Sequence, residues 1–410
     1  MKYESLSKLY YKDPELFKQE YTQRKNSFCS TPLDFKIHGN DAFYVTMPEF
    51  VTTTARLYKK LSLIDQLCVS MPAAAYDFYV RNCLIDEIIL SNDIEGVRST
   101  RKEILHVLNR SENTPKKKRF EGMVWKYALL LGNNNLSNLS LKNSRDLRLL
   151  YDEIVLDEIS PADYPDGKIF RKDLAEVISG TQKVKHRGLY PETSVIAHID
   201  KTLQLFERSD IPQLYKIAIC HYMIGYIHPF YDGNGRLSRF MSSYFLRDEF
   251  NVLIALRLSY TIKNRKADYY KAFDLANDPH NMGDLTPFIV YFSQVIEQAE
   301  DSLLERLQEG KGALDAYRKL LFDKFGNLDT GERKKTLDVL WYLIQNSLFS
   351  QEAMDRQSLA ALLQTSTVTV QHYIEHLIHT GAPIKTAKES RKFVYTVDLD
   401  ELYKYLRAET

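Results

Sequence analysis

Apolar residues recur at steps of three and four along most of this chain, and this spacing limits the possible folds more than any other feature. It predicts a helical region over residues 71–108, which Gly96 should interrupt or bend. The same spacing predicts further helices over residues 147–159, 194–208, 212–228, 236–248, 265–276 and 285–310. The fold class that we expect is therefore mainly α.

One segment, residues 176–191, departs from helical spacing. Val177, Ile178 and Val184 flank Gly180 there, and Pro191 closes the segment. Runs of β-branched residues around a glycine favour two short strands joined by a turn. We expect a small β-hairpin that stands as a flap within a helical protein.

Charge and length exclude several classes of protein. With 410 residues the chain is longer than one ordinary domain. Its 55 basic and 54 acidic residues leave a net charge of +1, so no overall field draws it to nucleic acid or anionic lipid. The basic run Thr114–Arg119 is most simply a solvated connector, and a nucleic-acid contact is the alternative.

Cysteine spacing and hydropathy indicate the compartment. The 4 cysteines include no CxxC pair, so we expect neither a zinc site nor a disulfide framework, and we expect a reducing environment. No apolar stretch reaches the roughly 18 residues that a membrane helix needs, and the residues after Met1 include charged ones. We therefore expect no membrane span and a cytoplasmic location.

The segment His228–Arg239, HPFYDGNGRLSR, is the most informative part of the sequence. Pro229 has no N–H group and should end the helix that arrives through residue 227. Gly233, Asn234 and Gly235 tolerate unusual backbone angles, and helical spacing resumes after them. A glycine-rich turn that opens a helix directs backbone N–H groups and the positive helix end at one point. It therefore predicts an anion site.

The side chains of the same segment suit a polyphosphate ligand. Arg236 and Arg239 lie three residues apart on the new helix, so both can face one ligand. Asp232 offers a hard oxygen to Mg²⁺, and His228, which titrates near neutrality, suits a general base for a hydroxyl nucleophile. The alternatives are a capped helix turn with solvated arginines, and a metal hydrolase, for which no second histidine is placed to help.

This segment resembles the Fic family motif HPFx[DE]GNGRxxR at every specified position. The resemblance implies a mostly helical Fic fold and transfer of AMP from ATP to a hydroxyl side chain of a protein. It implies that His228 deprotonates the target Ser, Thr or Tyr, that Asp232 holds Mg²⁺, and that Phe230 anchors the loop in the core. The phosphate-binding residues that it implies are Gly233, Asn234, Gly235, Arg236 and Arg239.

Two more segments extend the resemblance. Asn264, Tyr269 and Tyr270 follow the family's NRxxYY-type stretch with one additional residue, and in the family this stretch lines the adenine pocket. Core packing of both tyrosines is the alternative. The family counterpart of the flap, roughly residues 178–190 here, pairs with the backbone of the target protein, as an exposed strand edge can.

Residues Ser91–Gly96, SNDIEG, resemble the inhibitory motif [ST]xxxE[GN] of the N-terminally inhibited class of Fic proteins, in which Ser91, Glu95 and Gly96 are the specified positions. Glu95 could pair with Arg239 and so occupy a guanidinium that the γ-phosphate needs. ATP would then bind in an unproductive pose. The alternatives are a surface glutamate, and a carboxylate that aligns water and supports the removal of AMP from a modified protein.

The C-terminal part resembles a winged helix-turn-helix module, which is a common tail on Fic proteins. Helical spacing covers residues 337–344, 358–363 and 367–379, and strand-like residues follow around Ile384 and Phe393–Tyr395. From residue 332 onward, 10 basic and 10 acidic residues cancel, whereas DNA-binding modules usually carry a basic face. We favour protein docking or packing over DNA contact. The basic cluster at residues 385–392 leaves DNA contact as the alternative.

Together these features predict four parts: an N-terminal helical region over 1–110 with the inhibitory helix, a Fic core over 111–310, a linker over 311–335 and the winged-helix-like module over 336–410. We expect a protein adenylyltransferase that uses ATP and Mg²⁺ and modifies a protein of unspecified identity, with self-modification and a homodimer both plausible. The alternatives are a nucleotide-sensing regulator that works through its tail, an AMP-removing hydrolase, and a transferase with another donor such as UTP.

Overall fold

A computed structural model describes residues 3–110, 118–132, 141–178, 184–326, 331–389 and 392–408. This part is mainly α-helical with small antiparallel sheets, as the helical spacing predicts. Within these ranges, no helix is both long enough and apolar enough to cross a membrane. Most of the basic run, residues 114–117, lies outside the described residues. The chain divides into two compact units, residues 1–61 with 84–301 and residues 62–83 with 302–410, and the four-part division stays a prediction.

The chain begins with two helices and a hairpin that we did not predict. The elements are α1 Leu6–Lys12, α2 Pro14–Lys25, β1 Ser30–Ile37 and β2 Asn40–Val45. His38 and Gly39 join the strands, and both have positive φ, at 48° and 83°. Two such residues between paired strands form the tight turn that matches the twist of a hairpin. The alternation of buried Leu33, Phe35 and Ile37 with exposed neighbours was the available signal.

The elements from residue 48 to residue 325 include those that build the candidate site. They are α3 Pro48–Ser70, α4 Ala73–Ile94, α5 Arg101–Leu108, α6 Glu121–Leu129, α7 Ser144–Ile154, β3 Glu176–Ile178, β4 Val184–Arg187, α8 Glu192–Gln204, α9 Gln213–Ile227, α10 Asn234–Glu249, α11 Val252–Ala255, α12 Leu258–Asn264, α13 Lys266–Ala276 and α14 Thr286–Phe325. The helical region predicted over 71–108 is interrupted near Gly96, whose φ is 76°. Strands β3 and β4 pair antiparallel, which confirms the hairpin; residues 179–183 between them lie outside the described part.

Helix α9 lies in the core of the first unit and fixes the position of the loop that follows it. Its sequence is apolar on all sides, which is typical of a helix buried on every face, and nearly all its side chains are buried. It packs against α8 and α10. Because α9 ends at Ile227 and α10 begins at Asn234, the intervening loop is held at both ends by buried helices.

The second unit contains the C-terminal module. Its elements are α15 Glu332–Phe349, β5 Met354–Asp355, α16 Arg356–Leu363, α17 Thr367–His379, β6 Ile384–Glu389, β7 Lys392–Val397 and α18 Leu399–Arg407. The strands form an antiparallel sheet in the order β5-β7-β6. The predicted helices and the predicted strand pair are present, whereas β5 and α18 were not predicted. The classification as a winged helix stays a prediction.

Helix α14 extends beyond its predicted end at residue 310, so the expectation of a helix end there is wrong. It continues to Phe325 and covers most of the predicted linker. A Cβ on Gly310 would lie 2.4 Å from the ring of Phe349, so this glycine admits an aromatic ring rather than ending the helix. Beyond it, Leu314 is buried, and Tyr317 packs against the core of the second unit.

Candidate active site

The loop between α9 and α10 starts and ends with left-handed backbone. His228 follows the last residue of α9 with φ 51° and ψ 62°, and its N–H group donates to the Ile224 carbonyl at 3.0 Å. Gly233 precedes α10 with φ 83°. Left-handed angles are uncommon for a residue with a side chain, so the structure around His228 must hold this conformation.

Phe230 anchors the middle of the loop in the core. Its ring is fully buried and stacks on Tyr151 with ring centroids 3.5 Å apart. The side-chain amide of Asn234 accepts from the Phe230 N–H at 3.0 Å and donates to the Phe230 carbonyl at 2.8 Å. The Asn234 side chain therefore fastens the loop to the start of α10.

The first turn of α10 already holds an anion from the same chain. A Cβ on Gly235 would lie 2.0 Å from Glu95 Oε1, so the Glu95 carboxylate rests directly against the backbone of this turn. The first N–H groups of a helix have no partner within the helix, and its dipole favours negative charge there. Glu95 thus lies where the sequence predicts an anion site.

Arg239 links α10 to the end of α4. Its guanidinium is fully buried and donates to Glu95 Oε1 at 2.8 Å, to Ser91 Oγ at 3.0 Å and to the Ser91 carbonyl at 2.8 Å. Burial alone would raise the pKa of Glu95, but the Arg239 charge and hydrogen bond outweigh it and hold that pKa below its ordinary value. Glu95 is therefore ionised at neutral pH, and the contact expected from the sequence is a charged pair.

Arg236 has a different partner, Glu158, which the sequence analysis did not identify. Nη1 of Arg236 donates to Glu158 Oε2 at 3.0 Å, and both side chains are almost fully buried. Burial raises the pKa of Glu158 to about 7, although Arg236 opposes the shift. Nη2 of Arg236 lies 3.8 Å from Asp232 Oδ2. The two motif arginines are thus held by separate carboxylates.

The imidazole of His228 does not titrate near neutrality as the sequence analysis expects. Burial, reinforced by His186 and Arg171, lowers the pKa of His228 to about 4. The ring is therefore neutral at physiological pH, and one of its nitrogens can accept a proton from a nearby hydroxyl group. The Glu95 charge opposes this shift, so the carboxylate at the anion site acts electrostatically on the imidazole.

Asp232 presents the one carboxylate of the motif, and its surroundings fit a Mg²⁺ ion shared with phosphates. Its side chain is 53% exposed, and Oδ1 accepts the Gly233 N–H. The described residues contain no group of three or more His, Cys, Asp or Glu side chains that could enclose a metal ion. Mg²⁺ commonly takes one or two carboxylates and completes its shell with substrate phosphates and water, so a lone exposed carboxylate suits it.

The three residues expected around an adenine differ in their surroundings. Tyr269 is buried, and its hydroxyl group lies 2.8 Å from Nε2 of His221. Tyr270 is 38% exposed, and Asn264 is exposed at the end of α12. Of the three, Asn264 and Tyr270 are open to solvent, whereas Tyr269 packs in the core.

Comparison with known proteins gives the family of this site. Residues 142–246 match the family model described as the Fic/DOC family. The chain carries a Fic domain. The matched segment contains the whole loop with His228, whereas Glu95 lies outside it.

Individual relatives of the Fic domain agree with this assignment. The chain is 34% identical over 88 residues, 21% of its length, to the protein adenylyltransferase Fic of Drosophila grimshawi, and equally so to that of Drosophila melanogaster. The match spans 16% of the length of these relatives. A crystal structure of a Fic family protein from Desulfovibrio desulfuricans shares the fold, with a TM-score of 0.51, 19% identity, and coverage of 87% of this chain and 97% of that one.

Proposed function

We propose that this protein transfers AMP from ATP to a hydroxyl group of a protein, and that Glu95 restrains the transfer. The observation that supports this most is the contact between Glu95 and both parts of an anion site, the backbone at Gly235 and the guanidinium of Arg239. The imidazole of His228, in the loop that leads into the same helix, is neutral at physiological pH because burial lowers its pKa to about 4. The similarity of 88 residues of this chain to protein adenylyltransferases supports the same reaction class.

In the proposed reaction the chain binds and orients the triphosphate and moves one proton. The target hydroxyl oxygen forms a bond to the α-phosphorus while the bond from that phosphorus to the β-phosphate oxygen breaks, and pyrophosphate leaves. His228 accepts the hydroxyl proton, which a histidine neutral at physiological pH is able to do. The start of α10 and Arg239 stabilise negative charge on the phosphates, a contribution that dominates phosphoryl transfer.

Asp232 is the residue that would hold Mg²⁺, which neutralises phosphate charge when bound. Its carboxylate lies 3.8 Å from Nη2 of Arg236, whose Nη1 donates to Glu158. Removal of Asp232 should therefore weaken binding of the Mg²⁺ complex of ATP more than binding of ATP alone.

The restraint follows from competition between two anions for one cationic site. While the Glu95 carboxylate contacts Arg239, a γ-phosphate that approached the same guanidinium would meet like charge in a partly buried setting. ATP must then either displace Glu95 or bind with its phosphates elsewhere. Glu95→Gly removes the carboxylate and leaves Arg239 and the start of α10 free for the γ-phosphate.

Position-specific labels test the proposal. Glu95→Gly protein is incubated with Mg²⁺ and ATP labelled on either the α- or the γ-phosphate, and wild-type protein and labelled UTP serve as comparisons. We expect protein-bound label from α-labelled ATP alone, and more of it than wild type takes up. Binding of ATP without covalent label would instead indicate a nucleotide-sensing regulator, and label from UTP a different donor.

A further inference from the structure

Arg171 is a buried arginine whose hydrogen bonds go to backbone carbonyl groups. It is 1% exposed and lies in the loop before β3. Nε donates to the His228 carbonyl at 2.8 Å, and Nη1 donates to the Asp173 carbonyl at 2.6 Å. Nη2 donates to the Leu189 carbonyl at 2.7 Å and to the Ile227 carbonyl at 3.3 Å. A single guanidinium thus joins the end of α9 to the segment that follows β4.

The same region holds the loop through its backbone. The Arg171 N–H donates to the Pro229 carbonyl at 3.3 Å, and the Leu189 N–H donates to the Ile227 carbonyl at 3.0 Å. The last carbonyls of a helix lack partners within it, so these contacts satisfy groups that the left-handed turn at His228 leaves open. Arg171 therefore contacts residues 227, 228 and 229 in succession.

Gly188 shows how closely these groups fit. A Cβ there would lie 2.4 Å from Nη2 of Arg171 and 2.9 Å from Cβ of His228. The guanidinium, the catalytic side chain of the proposal and the segment after β4 thus meet with no room for a methyl group.

We propose that Arg171 is a positioning residue: it fixes the left-handed backbone at His228 and so aims the imidazole at the target hydroxyl. This inference rests on the proposed function. Only arginine offers five donors in a rigid planar fork, so lysine can preserve the charge but cannot reach all four carbonyls. An imidazole misplaced by about 1 Å loses up to about 100-fold in rate, because proton transfer requires close alignment.

Loss of Arg171 should also alter the titration of His228. The charged and titratable groups that act on this imidazole are His186, Arg171 and Glu95. Arg171 disfavours the imidazolium form, so an uncharged substitute raises the pKa of His228. The acid limb of the rate profile should then move to higher pH, which a change in fold stability alone does not produce.

The test compares Arg171→Met and Arg171→Lys, each in the Glu95→Gly background. We expect the rate of AMP transfer to fall about 10–100-fold with methionine and less with lysine, while the dissociation constant of a non-transferable ATP analogue changes less than about 3-fold. Arg148→Met is the matched control, because Arg148 donates to the Ile169 carbonyl of the same loop at 2.6 Å and forms no hydrogen bond with residues 227–229. Its rate should stay within about 2-fold of the background.

A folded Arg171→Met protein with an unchanged rate would overturn the inference, as would an equal loss in Arg148→Met. If the methionine variant does not fold, Arg171→Lys and Gly188→Ala carry the same comparison. If the Glu95→Gly background itself transfers no AMP, the proposed function has failed. NMR titration of the His228 imidazole, assigned with His228→Ala, then decides between the outcomes: an unchanged titration in Arg171→Met, which removes the charge, would refute the inference.

Discussion

The Glu95 side chain resembles a bound phosphate in two respects: it is negatively charged, and it occupies the space at the start of α10. Its charge attracts the Arg239 guanidinium, and its shape fills the space against the backbone at Gly235. These two contributions can be separated, because glutamine keeps the shape of the side chain and loses its charge, whereas glycine loses both.

We predict graded release of the restraint. AMP incorporation should rise from wild type to Glu95→Gln and further to Glu95→Gly, with a total increase of about 5–150-fold, which corresponds to a typical coupling free energy of about 1–3 kcal/mol. Initial rates of incorporation at a fixed ATP concentration measure this. Equal rates in all three proteins would mean that the Glu95–Arg239 pair imposes no restraint.

The Glu158–Arg236 contact makes a stability prediction. Glu158→Ala leaves a buried guanidinium without its acceptor, which should cost about 1–3 kcal/mol of unfolding free energy. Glu158→Gln keeps an acceptor oxygen and should cost less than about 1 kcal/mol. Urea unfolding measures both. Equal losses for the two variants would show that the contact with Arg236 does not account for them.

The sequence could predict residues of the loop but not all of their contacts. His228 and the GNG turn belong to a contiguous pattern whose backbone requirements are local, so their arrangement follows from the sequence. Glu158 and Arg171 lie in ordinary polar stretches, and their partners are 78 and 57 residues away. Nothing local distinguishes such residues. Only the packing of the chain brings Glu158 to the Arg236 guanidinium and Arg171 to the His228 carbonyl.

At the scale of elements, α4 is held where it can present Glu95. Glu87, two turns before Glu95, is fully buried and accepts from the N–H and hydroxyl groups of Ser259 at 2.8 and 2.6 Å. Near the helix end, Lys266 donates to the Ile94 carbonyl at 2.7 Å. Both contacts join α4 to the α12–α13 region, so the proposed restraint would depend on the packing of these helices.

Glu87 should make this packing depend on pH. Burial raises its pKa to about 7, although the bonds from Ser259 oppose the shift. Since the unfolded chain ionises Glu87 near its ordinary pKa, the folded protein binds more protons in between, and its stability falls as pH rises from about 5 to about 8. Glu87→Gln removes this pH-dependent loss of unfolding free energy, which is on the order of 1–3 kcal/mol.

The measurement is the unfolding free energy of wild type and Glu87→Gln between pH 5 and pH 8. The unfolding free energy of the glutamine variant should increase relative to that of wild type as pH rises across this window. A difference that does not change with pH would show that Glu87 has the same pKa in the folded and unfolded protein.

Secondary-structure elements were predictable where the apolar periodicity was long. The prediction failed where a glycine could either end a helix or lie within it. Gly96 interrupts a helical region, as predicted, because its positive φ has no place in a helix. Gly310 has helical neighbours on both sides and serves the close approach of Phe349. A sequence shows the glycine in each case but not the ring beside it, so the end of α14 could not be located from the pattern.

At the scale of the whole molecule, two lysines of the basic cluster at residues 385–392 are paired with acidic residues of the C-terminal module. Lys385 pairs with Asp398 at 3.2 Å, and Lys392 pairs with Asp355 at 2.6 Å. On α17, the Gln371 amide bonds to Arg356 and to Glu375. These three side chains, Lys385, Lys392 and Gln371, are therefore engaged within the module, which weakens the case for DNA contact.

We predict no salt-dependent affinity for duplex DNA. Fluorescence anisotropy with a labelled duplex at about 50 and about 200 mM salt measures it, because phosphate contacts weaken steeply over this range. Unchanged anisotropy at both concentrations is the expected result. Binding that weakens with salt, and that Lys388→Glu reduces, would favour DNA contact over protein docking.

The proposed restraint joins parts of the chain that are far apart in sequence. Arg239 lies within the Fic domain and Glu95 lies 144 residues before it, outside the matched segment. Either motif could be identified from the sequence, but their contact depends on the packing of α4 against the domain. The central claim is that His228 accepts the proton while the anion site holds the triphosphate.

The most direct test of this claim compares Glu95→Gly with the double variant Glu95→Gly/His228→Ala. Both are incubated with α-labelled ATP and Mg²⁺, and intact-mass spectrometry counts the AMP groups on each protein. We predict AMP addition to the first, and a rate lower by about 10²–10⁴-fold in the second with ATP affinity retained. Equal rates of AMP addition in the two proteins would contradict the account.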